Sequence, residues 1–435
     1  MFFFLFCSTS ASRCFFSPRR FPFLLLSQPL PSLSTPHSRR HTYLRISLTE
    51  RCNLRCTYCM PPEGVPGLTP KSDLLSTLEL ARLAALFAEL GVRKVRLTGG
   101  EPTLRPDLLE LARSLASQPG IDTVGLTTNG VNLGAGGGGG GGGGGKSSTV
   151  DARLLALRDA GVTSLNVSLD TLRPERFEVL ARRPRAGHAA ALAAVEAASR
   201  LRCFRDAVKV NVVVMRGIND DEVGEFSRWA FEQRGGINVR FIEFMPFEAN
   251  SWSTEGVVSY KEMLSAAREG VKGLAGGGEL VPFEEGGGGR GGALSLPERR
   301  HYDGVAKDFV LSRLESSSLG SSRSSSSSRS SSSRSSGSER KRPGVVSFIT
   351  SMTSPFCSSC TRLRLLADGN LKVCLLGGAE VSLRDAMRGG CSDEDLALLV
   401  RGALANKRAA HAGMGELAKK GTEVGAGRAM VRIGG

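Results

Sequence analysis

Arg51-Cys-Asn-Leu-Arg-Cys-Thr-Tyr-Cys-Met60 places Cys52, Cys56 and Cys59 in a C-x3-C-x2-C spacing, with Tyr58 just before the last cysteine. Three thiolates so close together can hold three irons of a four-iron cluster, whereas a closed 4Fe–4S site takes four cysteines. The fourth iron is then left for something other than protein. A structural zinc site is the alternative, and it asks for a fourth Cys or His nearby. The nearest candidate, His41, lies upstream in a segment of different character.

Around this loop a strand–helix rhythm repeats. Strands are expected at 43–49, 93–98, 122–127, 163–169, 208–214 and 238–244, and helices near 77–90, 106–117, 151–160, 188–201 and 221–233. Such alternation predicts an α/β fold, either a β/α barrel or an open parallel sheet. Six units fall short of the eight that close a barrel. Polar residues gather toward the C-terminal ends of these strands: Arg45, Ser47 and Thr49; Arg96 and Thr98; Thr127 to Asn129; Asn166, Ser168 and Asp170; Lys209 and Asn211; Arg240, Glu243 and Met245. Singly, each reads as a strand end meeting water. Repeated on six strands, the pattern predicts a site at that face, which is where β/α barrels carry their chemistry. Gly99 and Gly100 follow the second strand, and without a Cβ their backbone can approach a ligand.

Length and charge bound the rest. The chain has 435 residues, enough for one large α/β domain with appendages, and a formal charge of +15. Two stretches, 1–42 and 316–343, supply ten of those fifteen charges. What remains suits an anionic small molecule as well as a polymer. Residues 1–42 hold five arginines and no acid, the composition of an organellar transit peptide. Their apolar opening keeps a secretory or bipartite plastid leader as an alternative. No apolar run approaches the ~20 residues of a membrane span. The glycine run at 134–145, the glycine-rich stretch near 286–292 and the Ser/Arg tract near 316–338 read as disordered insertions.

Ten cysteines in such a chain point to metal chemistry before disulfides. Cys7 and Cys14 fall in the leader, and the isolated Cys203 and Cys391 read as buried packing residues. A second group follows: Cys357 and Cys360 in a C-x2-C, then Cys374. Strands at 362–367 and 371–376 around the turn Asp368-Gly369-Asn370 would return Cys374 to the Cys357/Cys360 loop. Spacing alone leaves a zinc ribbon and a second cluster equally open. Arg362 and Arg364 share one strand face, a cationic pair suited to phosphate although Arg-x-Arg is usually a solvated face.

Together these stretches resemble a known family. Tyr-Leu-Arg-Ile-Ser-Leu-Thr-Glu-Arg-Cys (43–52), Val-Arg-Leu-Thr-Gly-Gly-Glu-Pro (95–102), Thr-Thr-Asn-Gly (127–130), Asn-Val-Ser-Leu-Asp (166–170), Val-Lys-Val-Asn (208–211), Arg-Phe-Ile-Glu-Phe-Met-Pro (240–246), Phe-Cys-Ser-Ser-Cys-Thr-Arg-Leu-Arg (356–364) and the terminal Ile-Gly-Gly (433–435) are similar to the GTP 3′,8-cyclases of the radical S-adenosylmethionine (SAM) superfamily. The resemblance implies a partial, six-unit β/α barrel of radical SAM type with a C-terminal region carrying a second iron–sulfur cluster. It implies a first 4Fe–4S cluster on Cys52, Cys56 and Cys59, whose open iron chelates SAM to give a 5′-deoxyadenosyl radical. A second 4Fe–4S cluster on Cys357, Cys360 and Cys374 would meet the guanine of GTP.

By the same resemblance, Tyr58, Gly100, Ser168 and Met245 contact SAM, and Arg45, Arg96, Thr127, Lys209, Arg362, Leu363 and Arg364 contact GTP. Gly434 and Gly435 form a catalytic tail inside the barrel. Thr361 stands where the family commonly has Asn. The implied layout is a leader at 1–42, a barrel at 43–250 with a glycine insert at 134–149, a connecting region at 251–345 and a second-cluster region at 346–435. Implied partners are an electron donor of reductase or ferredoxin type, the downstream cyclic pyranopterin monophosphate synthase and a second copy of the chain. Neither nucleic acid nor a membrane is expected, and the expected compartment is the mitochondrial matrix. The rivals are a radical SAM peptide-modifying maturase and a zinc-stapled RNA-binding protein carrying the Ser/Arg tract.

Overall fold

The computed structural model describes residues 33–135, 146–233, 236–274, 279–282, 305–312, 344–419 and 428–434. Most of the leader, the glycine run from 136 on, the stretch at 286–292, the Ser/Arg tract and Gly435 lie outside the described residues.

Six strands pair in chain order: β1 (Tyr43–Ser47), β2 (Lys94–Thr98), β3 (Thr123–Thr128), β4 (Ser164–Ser168), β5 (Val208–Val214) and β6 (Ile237–Glu243). Every pairing among them is parallel. Their apolar residues, among them Leu44, Ile46, Val95, Leu97, Val210 and Phe241, are almost wholly buried, as parallel strands covered on both faces require. The helices Thr77–Glu89, Leu108–Ala116, Lys146–Asp159, Ala186–Leu201 and Val223–Glu232 connect them. The first starts at a capping box, in which the Ser76 hydroxyl accepts from the Glu79 amide and the Glu79 carboxylate accepts from the Ser76 amide. It then buries Leu80, Leu83, Ala84 and Phe87 at helical spacing. The helix Pro174–Ala181 was not expected from the sequence.

The sheet continues past both edges of the six. Beyond β6 the chain forms β7 (Glu279–Pro282), β8 (Lys307–Ser312) and β9 (Val345–Ile349). Strand β9 lies parallel to β6, and β8 and β7 follow it antiparallel. On the other edge β10 (Arg362–Leu365) pairs parallel with β1, and β11 (Asn370–Lys372) and β12 (Glu380–Ser382) complete a twelve-stranded sheet. The expected hairpin around Asp368-Gly369-Asn370 is therefore present, and it is also an edge of the barrel. A boundary at 345/346 falls inside β9, and the 251–345 region contributes two strands and the helix Tyr260–Lys272 to the same body.

The folded body also begins before residue 43. Leu33, Thr35, Arg39 and His41 are buried. The Leu33 amide donates to the Leu90 carbonyl (3.3 Å) and the His41 amide to Leu33 (2.7 Å). Residues 33–42, expected within the leader, thus pack onto the folded body. Cys203 and Cys391, expected as buried packing residues, are half-buried. Among the described residues no helix is long and apolar enough to cross a membrane.

Candidate active site

The two-residue period brings one face of each strand into the barrel. In-register neighbours line up Arg364, Arg45, Arg96, Gly125 and Ser164 across β10, β1, β2, β3 and β4. Gly125 makes room for Arg96, because a Cβ at 125 would lie 2.8 Å from the guanidinium. That group donates to the Tyr43 hydroxyl (2.7 Å), the Leu126 carbonyl (3.3 Å) and the Ser164 hydroxyl (3.1 Å). The barrel cavity holds about 1330 Å³ of space, its open mouth included, and among the described residues is lined by Arg45, Arg96, Arg240, Arg362 and Arg364 against one carboxylate, Asp170. Burial, and then the charge of Arg362, hold the Arg364 guanidinium down to about 10. Burial, then Arg364, lowers Arg45 as well. Arginine stays protonated regardless, so these shifts report positive charge that is buried and, secondarily, crowded by like charge, a cost that a bound polyanion relieves. The Asn166 and Asn211 Oδ1 atoms lie on the same lining, buried and without a hydrogen-bond partner. Such atoms call for a donor from a ligand.

The first cysteine loop closes one end of this cavity, with Cys52, Cys56 and Cys59 all on its wall. Gly99 and Gly100 hold the loop in place. A Cβ at Gly99 would sit 2.6 Å from the Thr49 carbonyl, and one at Gly100 2.2 Å from that of Arg51. The Gly100 amide donates to Thr49 (2.6 Å) and the Glu101 amide to Arg51 (2.8 Å). The missing side chains therefore admit the cysteine loop itself, while the pair still lines the cavity from its other side. The buried Glu101 carboxylate accepts from Thr103, Thr128 and the Asn129 amide, which joins the ends of β2 and β3. The Tyr58 hydroxyl donates to Asp170 at 2.8 Å.

Burial pushes the Cys52 thiol up to about 11 and Cys56 and Cys59 upward too. A pocket that resists bare thiolate charge fits thiolates neutralised by bound metal. Among the described residues no three His, Cys, Asp or Glu side chains converge as a single-ion site needs. His41, the candidate fourth zinc ligand, is engaged elsewhere: its Nδ1 faces the Arg39 carbonyl (3.1 Å) and its Nε2 the Lys407 ammonium (2.8 Å). Burial lowers its pKa to about 3, so it is neutral and Nε2 accepts.

Cys357, Cys360 and Cys374 line a second cavity that shares Met245, Ser351, Phe356, Arg362, Arg364 and Leu375 with the first. Arg39 donates to the Cys357 carbonyl (2.5 Å) and to the Arg408 carbonyl (2.7 Å), and Lys407 donates to Arg362 (3.1 Å). Burial pushes Cys360 up, but Lys407 and the nearby arginines outweigh it and leave the thiol below its ordinary value. His411, also on this wall, uses both ring nitrogens, one toward the Ser351 carbonyl and one toward the Gly413 amide.

The C-terminal tail enters between the two. Val431 packs with Met60 beside Cys52 and Cys59, and Ile433 packs with Phe247 and Leu366. The Gly434 carbonyl accepts from Arg45 at 3.3 Å.

The match to known proteins is extensive. A model described as Radical SAM superfamily matches residues 46–230, and one described as Molybdenum Cofactor Synthesis C matches residues 297–413. The Arabidopsis thaliana protein named GTP 3′,8-cyclase, mitochondrial, is 42% identical over 397 residues, covering 91% of this chain and 82% of that protein. This chain belongs to the GTP 3′,8-cyclase family. A Rhodopirellula baltica GTP 3′,8-cyclase is 34% identical over 375 residues, 86% of this chain and 85% of its own length. The Mus musculus molybdenum cofactor biosynthesis protein 1 is 42% identical over 388 residues, and the chain spans about half (49%) of that longer protein.

Within this GTP 3′,8-cyclase relative, the residues singled out in the sequence divide clearly. Tyr58, Gly100, Ser168, Met245, Arg45, Arg96, Thr127, Arg362 and Arg364 all line the one cavity. Leu363 does not: it is fully buried on the opposite strand face. Lys209 sits near the start of β5, bonded to Asp206 at 2.9 Å and apart from the cavity lining. Gly434 is in the barrel and Gly435 lies outside the described residues. Thr361 meets β1 through its carbonyl, which accepts from the Tyr43 amide (3.3 Å), so its side-chain identity is not used in that bond. Gly125 and Arg39 went unread as site residues, since a lone Gly or a basic residue beside a leader carries no local signal.

Proposed function

We propose that this chain converts GTP to (8S)-3′,8-cyclo-7,8-dihydroguanosine 5′-triphosphate, the first step of molybdenum cofactor biosynthesis. The carrying observation is the cavity that starts at Cys52, Cys56 and Cys59 and runs through five arginines into the space bounded by Cys357, Cys360 and Cys374. Each triad would hold a 4Fe–4S cluster. When bound, the first cluster and SAM would supply a carbon radical able to remove the hydrogen of ribose C3′. The C3′ radical would then bond to guanine C8, and one electron from the electron donor with one proton at N7 would complete the 7,8-dihydro product.

The chain's own residues bind, orient and shield. Arg45, Arg362 and Arg364 neutralise the triphosphate through charge-assisted bonds. Arg96 and Thr127 belong to the same lining, and Asn166 and Asn211 offer acceptors to the ribose hydroxyls. Tyr58, Gly100, Ser168 and Met245 form the SAM side. Gly434 brings backbone to a point where a Cβ would crowd Ser47 and Thr98, Gly435 would act with it as the catalytic tail, and the barrel keeps water from the reacting carbons.

The acid-free Arg/Ser leader and the word mitochondrial in the Arabidopsis relative's name support a mitochondrial location, the matrix in particular. A reductase- or ferredoxin-type electron donor, a downstream cyclic pyranopterin monophosphate synthase and a homodimer follow from the same reading. Anaerobic reconstitution tests it: equal iron and sulfide, then 5′-deoxyadenosine formation with SAM, dithionite and GTP. Zinc without sulfide contradicts it.

A further inference from the structure

We propose that Arg428 is a positioning residue for the reaction, the clamp that sets where the C-terminal tail enters the barrel. Its guanidinium bridges two carboxylates at 2.7 Å each, Asp368 in the β10–β11 turn and Glu380 on β12. All three side chains are largely shielded, at 20%, 14% and 16% exposure. Both acids are held independently of Arg428. Asp368 accepts from the Asn370 amide and side chain (3.0 Å each), and Glu380 accepts from Asn370 (3.3 Å) and pairs with Lys372 (3.4 Å). The guanidinium therefore docks on a preformed acidic fork, the geometry that favours arginine over lysine.

Five residues after that fork the chain has reached its destination. Ala429, Val431 and Ile433 are buried, and Arg432 donates to the Pro66 and Gly67 carbonyls of the loop after the first cysteine triad. At Gly434, φ is +76° and a Cβ would lie 3.0 Å from Ser47 and from Thr98. Arg428 ties the start of this tightly seated tail to the hairpin that carries Arg362, Arg364 and, just beyond β11, Cys374.

The proposal rests on the tail's part in the reaction given above, and its test separates the two. Reconstituted full-length Arg428→Gln and Arg428→Lys proteins are compared with wild type by hydrogen exchange of the C-terminal peptide, iron content, GTP affinity and turnover. Arg428→Gln is expected to speed exchange and lower kcat by at least roughly tenfold, the loss of charge-assisted bonds, with iron content kept and KM for GTP little changed. Arg428→Lys, able to keep one bridge, falls between. Wild-type exchange in Arg428→Gln overturns the clamp. Fast exchange with undiminished turnover keeps the clamp and overturns the tail's part in the reaction. Should Arg428→Gln not hold iron, Asp368→Asn and Glu380→Gln are read by the same exchange measurement, and unchanged exchange in both also overturns it.

Discussion

The Arg45 guanidinium, inside the barrel on β1, donates to the carbonyl of Gly434 at 3.3 Å. The first strand of the fold and the end of the chain thus meet within the site, and one of the arginines facing the cavity holds the tail. Deleting Gly434 and Gly435 should leave both iron–sulfur signals and SAM binding unchanged and reduce GTP conversion strongly. Gly434→Ala should do the same through geometry alone, since a left-handed φ costs a non-glycine residue about 1–2 kcal/mol and the added Cβ meets Ser47 and Thr98. Full turnover by either variant would return the tail to a frayed end.

Arg362→Ala and Arg364→Ala should weaken GTP while sparing the first cluster. Each lost charge-assisted bond to phosphate is worth about 1.5–3 kcal/mol, roughly ten- to a hundredfold in affinity. Isothermal titration with GTP checks this, and unchanged affinity in both would remove the pair from the site.

Asp170 gives a pH-dependent outcome. Burial raises its pKa from 3.8 to about 6, against bonds from the Val213 amide and Tyr58 that lower it. A raised carboxyl pKa destabilises the folded state at pH above the folded value, and the penalty fades as pH falls toward the unfolded value. Asp170→Asn, with Oδ1 on the Val213 amide and Nδ2 donating to the Tyr58 hydroxyl, should therefore stabilise the metal-free protein at pH 8 by about 2–3 kcal/mol. Near pH 4 the gain should mostly vanish. Equal effects in urea melts at both pH values would show that the carboxylate charge is not the cause.

The barrel was legible because its signals are local. The six strands are runs of β-branched and aliphatic residues separated by amphipathic helices, and β5, expected at 208–214, is Val208–Val214. Pairings made across long insertions leave no such trace. Strand β10 reads as half a hairpin, and nothing in Arg362–Leu365 announces that it lies parallel to β1, more than 300 residues earlier. The same holds for β9 on β6. At the site, cysteine spacing and strand-end polarity carried the reading, while Gly99 and Gly100, read as a close approach to a ligand, line the cavity and also pack on the cysteine loop, a second contact that spacing does not announce. Arg39 and His41 were taken into the leader because composition cannot reveal the Cys357 and Lys407 partners that hold them.

That last point is itself testable. A chain starting at Leu33 should reconstitute as the full chain does. A chain starting at Tyr43 loses Arg39 and His41 and should lose iron selectively from the Cys357/Cys360/Cys374 triad, read by its electron paramagnetic resonance signal. Normal loading of both triads in the shorter chain would free residues 33–42 from any role at the second site.

The most direct test uses GTP deuterated at ribose C3′, incubated anaerobically with the reconstituted protein, SAM and dithionite. Mass spectrometry of the products should find the deuterium in 5′-deoxyadenosine and a cyclised nucleotide triphosphate that has lost it, with neither formed by Cys52→Ser, Cys56→Ser or Cys59→Ser protein. Unlabelled 5′-deoxyadenosine beside unchanged, fully deuterated GTP would contradict the assignment.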